Sequence, residues 1–135
     1  MPNVDADLLP EDLSDLVVRA DARGVILYVS ETCRAFGYEP EDLVGRLASD
    51  FVHPDDRGKL SANTASLFAP DAPGRPVNRE HRFRCKDGSW VWFEGRPTVL
   101  PTPDGRLGDV LNRFRDVTAR RALGDALRAQ VRGKL

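Results

Sequence analysis

The segment that most constrains the fold is residues 80–94, EHRFRCKDGSWVWFE. His81, Phe83 and Cys85 alternate with charged residues, which is the period-two pattern of a β-strand with one uncharged face. An Asp-Gly pair follows, and it supplies the positive φ angles that a tight hairpin turn requires. The second strand contains four consecutive apolar residues, WVWF. Because large side chains then point to both faces, we expect both sides of this hairpin to be covered.

A second hairpin and three short helices precede this segment. Residues 16–20 and 25–29 are extended, and a turn that ends at Gly24 separates them. The first helix begins at a serine and the second at a proline, and glycine follows both, which is the usual chemistry of helix ends. The three helices are predicted at residues 30–38, 40–45 and 53–68.

The last strand and a terminal helix complete the pattern. A PTPDG turn leads into a strand at residues 110–116, and Thr118 is suited to cap a helix that runs towards Leu135. Runs of strands separated by helices are typical of α+β proteins. We therefore predict an α+β fold in which an antiparallel sheet carries short helices on one face, with further helices flanking the sheet at both ends of the chain.

Composition narrows the class of protein. The 135 residues include 20 basic and 21 acidic side chains, so a net charge of -1 gives no reason to expect nucleic-acid binding. The chain has no long apolar run, and its acidic N-terminus is unlike a signal peptide, so we expect a cytoplasmic protein without membrane insertion. The two cysteines lack zinc-like spacing and suit a reduced compartment, although a disulfide stays open.

Four segments, in this order and spacing, resemble the PAS domain family: VVRADARGVILYVSETCRAFGYEPEDLVGR, FVHPDDR, EHRFRCKDGSWVWFE and RDVTARR. The resemblance covers about residues 13–118. It implies a five-stranded antiparallel sheet closed on one face by helices. It also implies a non-enzymatic sensory or regulatory module, placed before a histidine kinase or another effector in bacterial-type signal transduction. We accordingly divide the chain into an N-terminal flanking helix (1–14), a PAS domain (15–118) and a C-terminal signalling helix (119–135), the possible start of a coiled coil.

The resemblance also implies a route for the signal. Residues 116–118, Asp-Val-Thr, resemble the family's junction between the last strand and the outgoing helix. The Thr118 hydroxyl is able to cap that helix, and we predict that Asp116 pairs with Arg82 on the neighbouring hairpin. Such a junction would couple movement of the sheet to movement of the helix, as a population shift between two arrangements.

The sequence motifs of the family's flavin-binding and haem-binding members are absent from this chain. Light-sensing flavin members carry their reactive cysteine in an Asn-Cys-Arg-Phe-Leu-Gln run, whereas this chain has TCRA one helix earlier. We interpret Cys33 as a small packing residue. Haem-binding relatives carry a histidine on the long helix, and residues 55–68 contain none. We predict neither flavin nor haem, and a colourless ligand stays open.

The space between helices and sheet is the candidate ligand site. Its predicted lining is Phe36, Tyr38, Phe51, Phe83 and Asn112. A filled core is the alternative. Asn112 is the one polar residue among apolar neighbours on its strand, so it needs a hydrogen-bond partner if it faces inwards. His81, on the inner face of its strand, is either a packing residue or a ligand contact and pH-sensitive group.

No catalytic or metal motif stands out. The chain contains neither a nucleophile elbow nor a phosphate-binding glycine loop. His53, Asp55 and Asp56 are interpreted as a helix start, with carboxylates near its positive end, rather than as metal ligands. A small enzyme would require Asn112, His81 and this acidic pair to converge.

The two tryptophans indicate an interaction surface. Trp90 and Trp92 share one face of their strand. If that face is outward, Leu13 and Leu16 of the N-terminal segment are suited to cover it, from the same chain or from a second subunit in a homodimer. The alternative places both indoles in the core, and the pattern does not decide between them.

Overall fold

The computed structural model describes residues 15–68, 79–105 and 107–133. The predicted N-terminal helix, and Leu13 with it, lies outside the described residues. The sheet and the helices that cover it are therefore the parts of the chain whose predictions the structure tests.

Five antiparallel strands form one sheet, in the spatial order β2-β1-β5-β4-β3. Their bounds are β1 Leu16–Ala20, β2 Ile26–Val29, β3 Glu80–Arg84, β4 Trp90–Pro101 and β5 Leu107–Asp116. In the second hairpin His81 lies opposite Phe93 and Arg82 lies opposite Trp92, and residues 85–89 connect the two strands. Gly88 has the expected positive φ, at 92°, but Asp87 does not, so the prediction that the Asp-Gly pair forms a two-residue turn with positive φ angles is correct for the glycine alone.

Within the described residues, the helices lie between β2 and β3 or after β5. They are three 3-10 helices, Glu31–Phe36, Ala48–Phe51 and Pro54–Asp56, and the α-helices α1 Pro40–Leu43, α2 Arg57–Phe68 and α3 Thr118–Gly133. His53 opens the third 3-10 helix, because its Nδ1 accepts a hydrogen bond from the Asp55 N–H at 3.1 Å. This contact agrees with the interpretation of His53 as part of a helix start. The α+β prediction is confirmed.

The hydrophobic core packs between the sheet and the helices. The largest fully buried side chains are those of Phe93, Leu16, Leu43 and Cys33. Burial raises the pKa of the Cys33 thiol, which fits its interpretation as a packing residue. Among the described helices, none combines the length and the apolar character needed to cross a membrane.

Both edges of the sheet carry an additional short contact. Val25, beside β2, forms an antiparallel bridge with Leu47, and Phe83 of the edge strand β3 forms one with Val52. The Arg82 carbonyl also accepts a hydrogen bond from the His53 N–H at 3.0 Å. The helical segments are thereby attached to both edge strands as well as to one face.

Candidate functional site

An internal cavity of about 420 Å³ lies between the sheet and the helices. A space of this size falls within the range of ordinary small-molecule sites. Its walls come from β1, from α2 and from the strands β3 to β5, and it reaches the turn at residues 21–24. The aliphatic and aromatic side chains that line it include Leu16, Val18, Ile26, Phe83, Phe93 and Val110.

The predicted lining is only partly correct. Phe83 and Asn112 line the cavity, whereas Phe36, Tyr38 and Phe51 do not. Those three rings pack in the core cluster; the Tyr38 and Phe51 ring centres, for example, are 5.5 Å apart, edge to face. The prediction that all three rings face the protein interior is correct. The residue pattern of a strand or helix, however, does not distinguish a ring that packs in the core from a ring that lines the cavity.

Several lining residues were missed by the sequence analysis. Leu60 and Ser61 of α2 border the cavity, as do Ala22 and Gly24 of the first hairpin turn. Leu60 and Leu67 are seven residues apart in sequence, which indicates one apolar face of this helix, so a signal for Leu60 was available. The turn residues gave no such signal, because their position depends on how the first hairpin lies across the helices.

Asn112 is a polar residue of the cavity wall whose side-chain carbonyl oxygen lacks a hydrogen-bond donor within the described part of the chain. Its Oδ1 is buried and has no hydrogen-bond partner among the described residues. Gly95, which lies opposite Phe114 on the neighbouring strand, is close to this amide: a Cβ atom there would be 3.1 Å from Asn112 Oδ1 and also 3.1 Å from the Phe114 ring. A glycine at this position therefore provides the room in which the amide and the ring sit. An unpaired buried carbonyl is costly, so it indicates a place where a donor would be favourable.

His81 is the buried titratable group of the cavity wall, whereas Asp21 and Arg23 border the cavity at the more exposed turn of the first hairpin. Its side chain is buried, and its ring meets the Phe114 ring edge to face at 5.6 Å. Burial, aided by Lys59, lowers the pKa of His81 to about 4, and only Asp56 and a backbone hydrogen bond at Arg79 oppose this change. The imidazole is therefore neutral near pH 7. The cavity wall offers hydrogen-bonding groups without a buried charge.

On the opposite face of β3, Arg82 forms a buried ion pair with Asp56. The Arg82 backbone N–H and Nε both donate to Asp56 Oδ2, at 2.8 and 3.0 Å, and a terminal nitrogen donates to Oδ1 at 2.9 Å. These bonds lower the pKa of Asp56 to about 2. The prediction that Arg82 pairs with Asp116 was wrong. The partner of Arg82 is Asp56, which lies directly before α2.

The junction between β5 and α3 is held by a different set of bonds from those predicted. Asp116 Oδ1 accepts the Thr118 N–H at 2.9 Å, so the aspartate caps the helix. The Thr118 hydroxyl oxygen instead accepts the Trp92 N–H at 2.8 Å, and the Trp92 carbonyl accepts the Val117 N–H at 2.8 Å. The prediction that the Thr118 hydroxyl caps the helix was therefore wrong. Its bond fixes the start of α3 to β4.

Trp92 lies between two arginines on the outer face. The Arg82 Cζ is 5.0 Å from the indole centre, and the Arg121 Cζ is 3.7 Å from it. Arg121 and Arg120, both in the first turn of α3, bind the Glu80 carboxylate at 2.6 and 2.7 Å. The first turn of α3 is thus bound to both strands of the second hairpin. The paired arginines in RDVTARR were a signal for this contact that the sequence analysis did not use.

The structure also settles which face the tryptophans occupy. Phe93 is 1% exposed on the inner side, so Trp92 and Trp90 lie on the outer side. Trp90 is 40% exposed and packs on the His53 ring with 4.7 Å between ring centres. The prediction that Leu16 covers this outer face was wrong, since Leu16 is 1% exposed and belongs to the inner core.

Comparison with known proteins gives a consistent result. A family model described as "PAS fold" matches residues 26–111. The White collar 2 protein of Neurospora crassa is 38% identical over 85 residues, which are 62% of this chain and 16% of that protein. The blue light receptor lreA of Aspergillus flavus is 33% identical over 105 residues, which are 77% of this chain and 12% of that protein. The chain therefore spans less than a fifth of the length of these relatives.

Solved structures agree in fold. A sensory box histidine kinase/response regulator from Burkholderia thailandensis E264 has a TM-score of 0.69 and 26% identity, with 96% of each chain covered. The PAS-B domain of Drosophila melanogaster Cycle has a TM-score of 0.62 and 17% identity, covering 75% of this chain and 98% of that one. The second likeness concerns the fold alone.

Proposed function

Because the chain belongs to the PAS fold family, we propose that it is a non-enzymatic sensory or regulatory module that passes a conformational state to an effector through α3. The observation that carries this proposal is the attachment of the start of α3 to the second hairpin. The hydroxyl of Thr118 holds β4 at Trp92, while Arg121 holds β3 at Glu80. The same two strands provide a wall of the cavity.

The mechanism follows from the alternation of β4. Phe93 faces the cavity, whereas the preceding residue, Trp92, lies on the other face and contacts Arg121 of α3. A change in cavity contents that moves Phe93 therefore moves the residue to which α3 is bound. The signal would shift the balance between two arrangements of hairpin and helix, which requires only that it bind one arrangement better.

The partners would be a second copy of the chain and a downstream domain. Leu123 and Leu127 are 61% and 54% exposed on α3, four residues apart, so they form an apolar strip that a parallel helix pair would bury. Trp90 offers a further exposed apolar surface on the sheet. The similarity to a sensory box histidine kinase supports a kinase as the effector, in a cytoplasmic two-component protein.

A fusion to a histidine-kinase core tests the relay. The junction variants Asp116→Ala and Thr118→Ala should change autophosphorylation by several-fold, because each removes a bond that fixes the start of α3. Asp109→Asn, which alters a surface ion pair of β5, is the matched control and should leave the output unchanged. Unchanged output in both junction variants would contradict the relay, and a monomeric mass at micromolar concentration would contradict the dimer.

A small-molecule sensor is a second candidate function, and the cavity favours it. The walls are apolar, His81 is neutral, and Asn112 Oδ1 lacks a donor. An uncharged ligand with a hydrogen-bond donor fits these properties better than an ion, whose buried charge would be unpaired. The ligand would be colourless rather than flavin or haem.

Native mass spectrometry and an absorbance scan of the purified protein test this candidate. The expected result is an added mass without visible absorbance, which Asn112→Leu should reduce. A visible flavin or haem spectrum would contradict the assignment of a colourless ligand. An added mass that Asn112→Leu does not affect would remove the amide from recognition.

A further inference from the structure

A second, polar cleft lies apart from the cavity. It has a volume of about 270 Å³ and is lined by Tyr38, Asp42, Arg46, Phe51, Arg84 and Lys86. None of these residues lines the internal cavity. The cleft lies where the segment from α1 to the second 3-10 helix meets the end of β3 and the turn that follows. The cleft and the cavity are therefore two separate candidate binding sites.

The floor of this cleft is rigid and aromatic. Phe51 and Tyr38 are 3% and 5% exposed, and their rings pack edge to face at 5.5 Å. The Tyr38 hydroxyl donates to the Arg84 carbonyl at 2.8 Å, which ties the floor to the end of β3. A floor that is fully packed in the core keeps the groups above it in fixed relative positions.

Three cations lie over this floor, Arg46 from the segment after α1, and Arg84 and Lys86 from the end of β3 and the turn that follows. The Arg46 and Arg84 Cζ atoms are 5.4 and 5.9 Å from the centre of the Phe51 ring. The Lys86 Nζ is 5.8 Å from the Tyr38 ring centre. A guanidinium that lies over a ring face keeps its N–H donors for other partners. The donors of both arginines are thus available to a molecule in the cleft.

The charge of the cleft is not balanced. Its one acid, Asp42, is 3.7 Å from Lys86, so three cations and one carboxylate leave two positive charges. Within the part of the chain that the structure describes, Arg46 and Arg84 form no ion pair. Arg82 and Arg121, by contrast, each bind a carboxylate closely. The chain as a whole has a net charge of -1, so this cleft is a local concentration of positive charge.

We propose that this cleft binds the phosphate group of a small molecule or of a modified side chain. A phosphate monoester carries nearly two negative charges near neutral pH, which matches the excess charge of the cleft. Its oxygens accept paired hydrogen bonds from guanidinium groups, and Arg46 and Arg84 present such donors from two fixed backbone positions. Because the cations are largely solvent-exposed, inorganic phosphate alone should bind in the millimolar range.

Nuclear magnetic resonance of the isotope-labelled full chain tests the proposal. Addition of inorganic phosphate at constant ionic strength should give saturable shifts in the Nε–H signals of Arg46 and Arg84. The double variant Arg46→Gln/Arg84→Gln should weaken this binding by at least about tenfold, since the charge-assisted donors are lost. Arg96→Gln/Arg128→Gln removes the same charge from exposed positions outside the cleft and should leave the binding unchanged.

Three results would overturn the proposal. These are shifts that do not saturate, equal shifts with acetate at the same ionic strength, and equal losses in the two double variants. Ribose 5-phosphate and a phosphoserine peptide, titrated in parallel, distinguish the two sources of the group. Tighter binding of either one than of inorganic phosphate supports the site and identifies its source. The relay through α3 does not depend on this cleft, so failure here leaves the proposed function intact.

Discussion

The two faces of the second hairpin are stabilised in opposite ways, although they share one backbone. His81 and Arg82 are consecutive, yet the first lies in an apolar cavity wall and the second in an ion pair. Burial lowers the pKa of His81 to about 4 and keeps it neutral. Hydrogen bonds from Arg82 lower the pKa of Asp56 to about 2 and keep it charged. A reversal of environment between neighbours follows from the period of the strand.

The comparison shows how a sheet separates detection from transmission. The inner face excludes charge, so its stability depends on packing and on the neutrality of one imidazole. The outer face contains a series of ionic and cation–π contacts, Asp56–Arg82–Trp92–Arg121–Glu80, in which Arg121 belongs to α3. The four predictions below test this division, and they run from the largest expected effect to the smallest.

Truncation of Phe93 tests the inner face. Phe93 is 1% exposed at the centre of the aromatic core, so Phe93→Ala should lower the free energy of unfolding by about 4 kcal/mol. Thr98→Ala, at an exposed position of the same strand, is the control and should cost about 0.5 kcal/mol or less. Urea denaturation measures both. Similar losses in the two variants would contradict a packed inner face.

Removal of the buried carboxylate tests the outer face. Asp56→Asn leaves the Arg82 guanidinium without its charged partner and should cost about 3 kcal/mol. Asp109→Asn breaks the more exposed pair with Arg19 and should cost less than about 1 kcal/mol. Chemical denaturation near neutral pH provides the measurement. An Asp56→Asn variant as stable as the wild type would show that the pair contributes little.

The two faces should lose stability in different pH windows. The unfolded state binds a proton at His81 below about pH 6.5, whereas the folded state does so only near its pKa of about 4, so stability falls as the pH drops between these values. The expected loss is about 2 kcal/mol between about pH 7 and about pH 5. His81→Leu should flatten this window. An equal fall in the variant would mean that another group causes it.

The contribution of Asp56 to stability has a different physical cause and is lost in a lower pH window. Its folded-state pKa is depressed to about 2 from 3.8, so the pair stabilises the protein above pH 3.8 and is lost as the pH falls towards 2. Asp56→Asn should therefore be less stable than the wild type near neutral pH, and its stability should no longer fall between about pH 4 and about pH 2. The two windows meet near pH 4 and separate the contributions of the faces.

The smallest effect is expected at the start of α3. Arg121→Gln removes the closest cation from the Trp92 ring and one bond to Glu80, and it should cost about 1 kcal/mol or less. It should also change the fluorescence of Trp92, whose surroundings it alters. Arg128→Gln, farther along the same helix, should change neither property. Unaltered fluorescence in Arg121→Gln would place the two groups apart in solution.

Much of this fold was predictable, because its signals are local. The alternation of β3, the glycine of its turn and the positions of the helices depend on residues close in sequence, although the Ser30 hydroxyl accepts the Val17 N–H rather than capping its helix. The face of Trp90 and Trp92 was not, because β4 is apolar on both sides and either assignment satisfied the pattern. The charge pairing of Arg82 failed for a related reason, since two acids were available and the fold decided which one came near.

The sites were predicted less well than the elements, because a cavity is a matter of volume. Phe36 and Phe83 both face inwards, yet only Phe83 borders the cavity, and no period distinguishes them. The basic cleft depends on Arg46, which is distant in sequence from Arg84 and Lys86 and is separated from them by α2 and by the preceding residues of β3. Their convergence is a property of the tertiary structure.

The bridges at the two sheet edges have a consequence for self-association. An open strand edge is a template on which another chain can extend the sheet, and this is a common route to aggregation. Leu47 beside β2, and Val52 with His53 beside β3, occupy backbone groups that an incoming strand would need. Copies of this domain that meet at high concentration would therefore associate through side-chain surfaces, which a cell can regulate, rather than by continuous growth of the sheet.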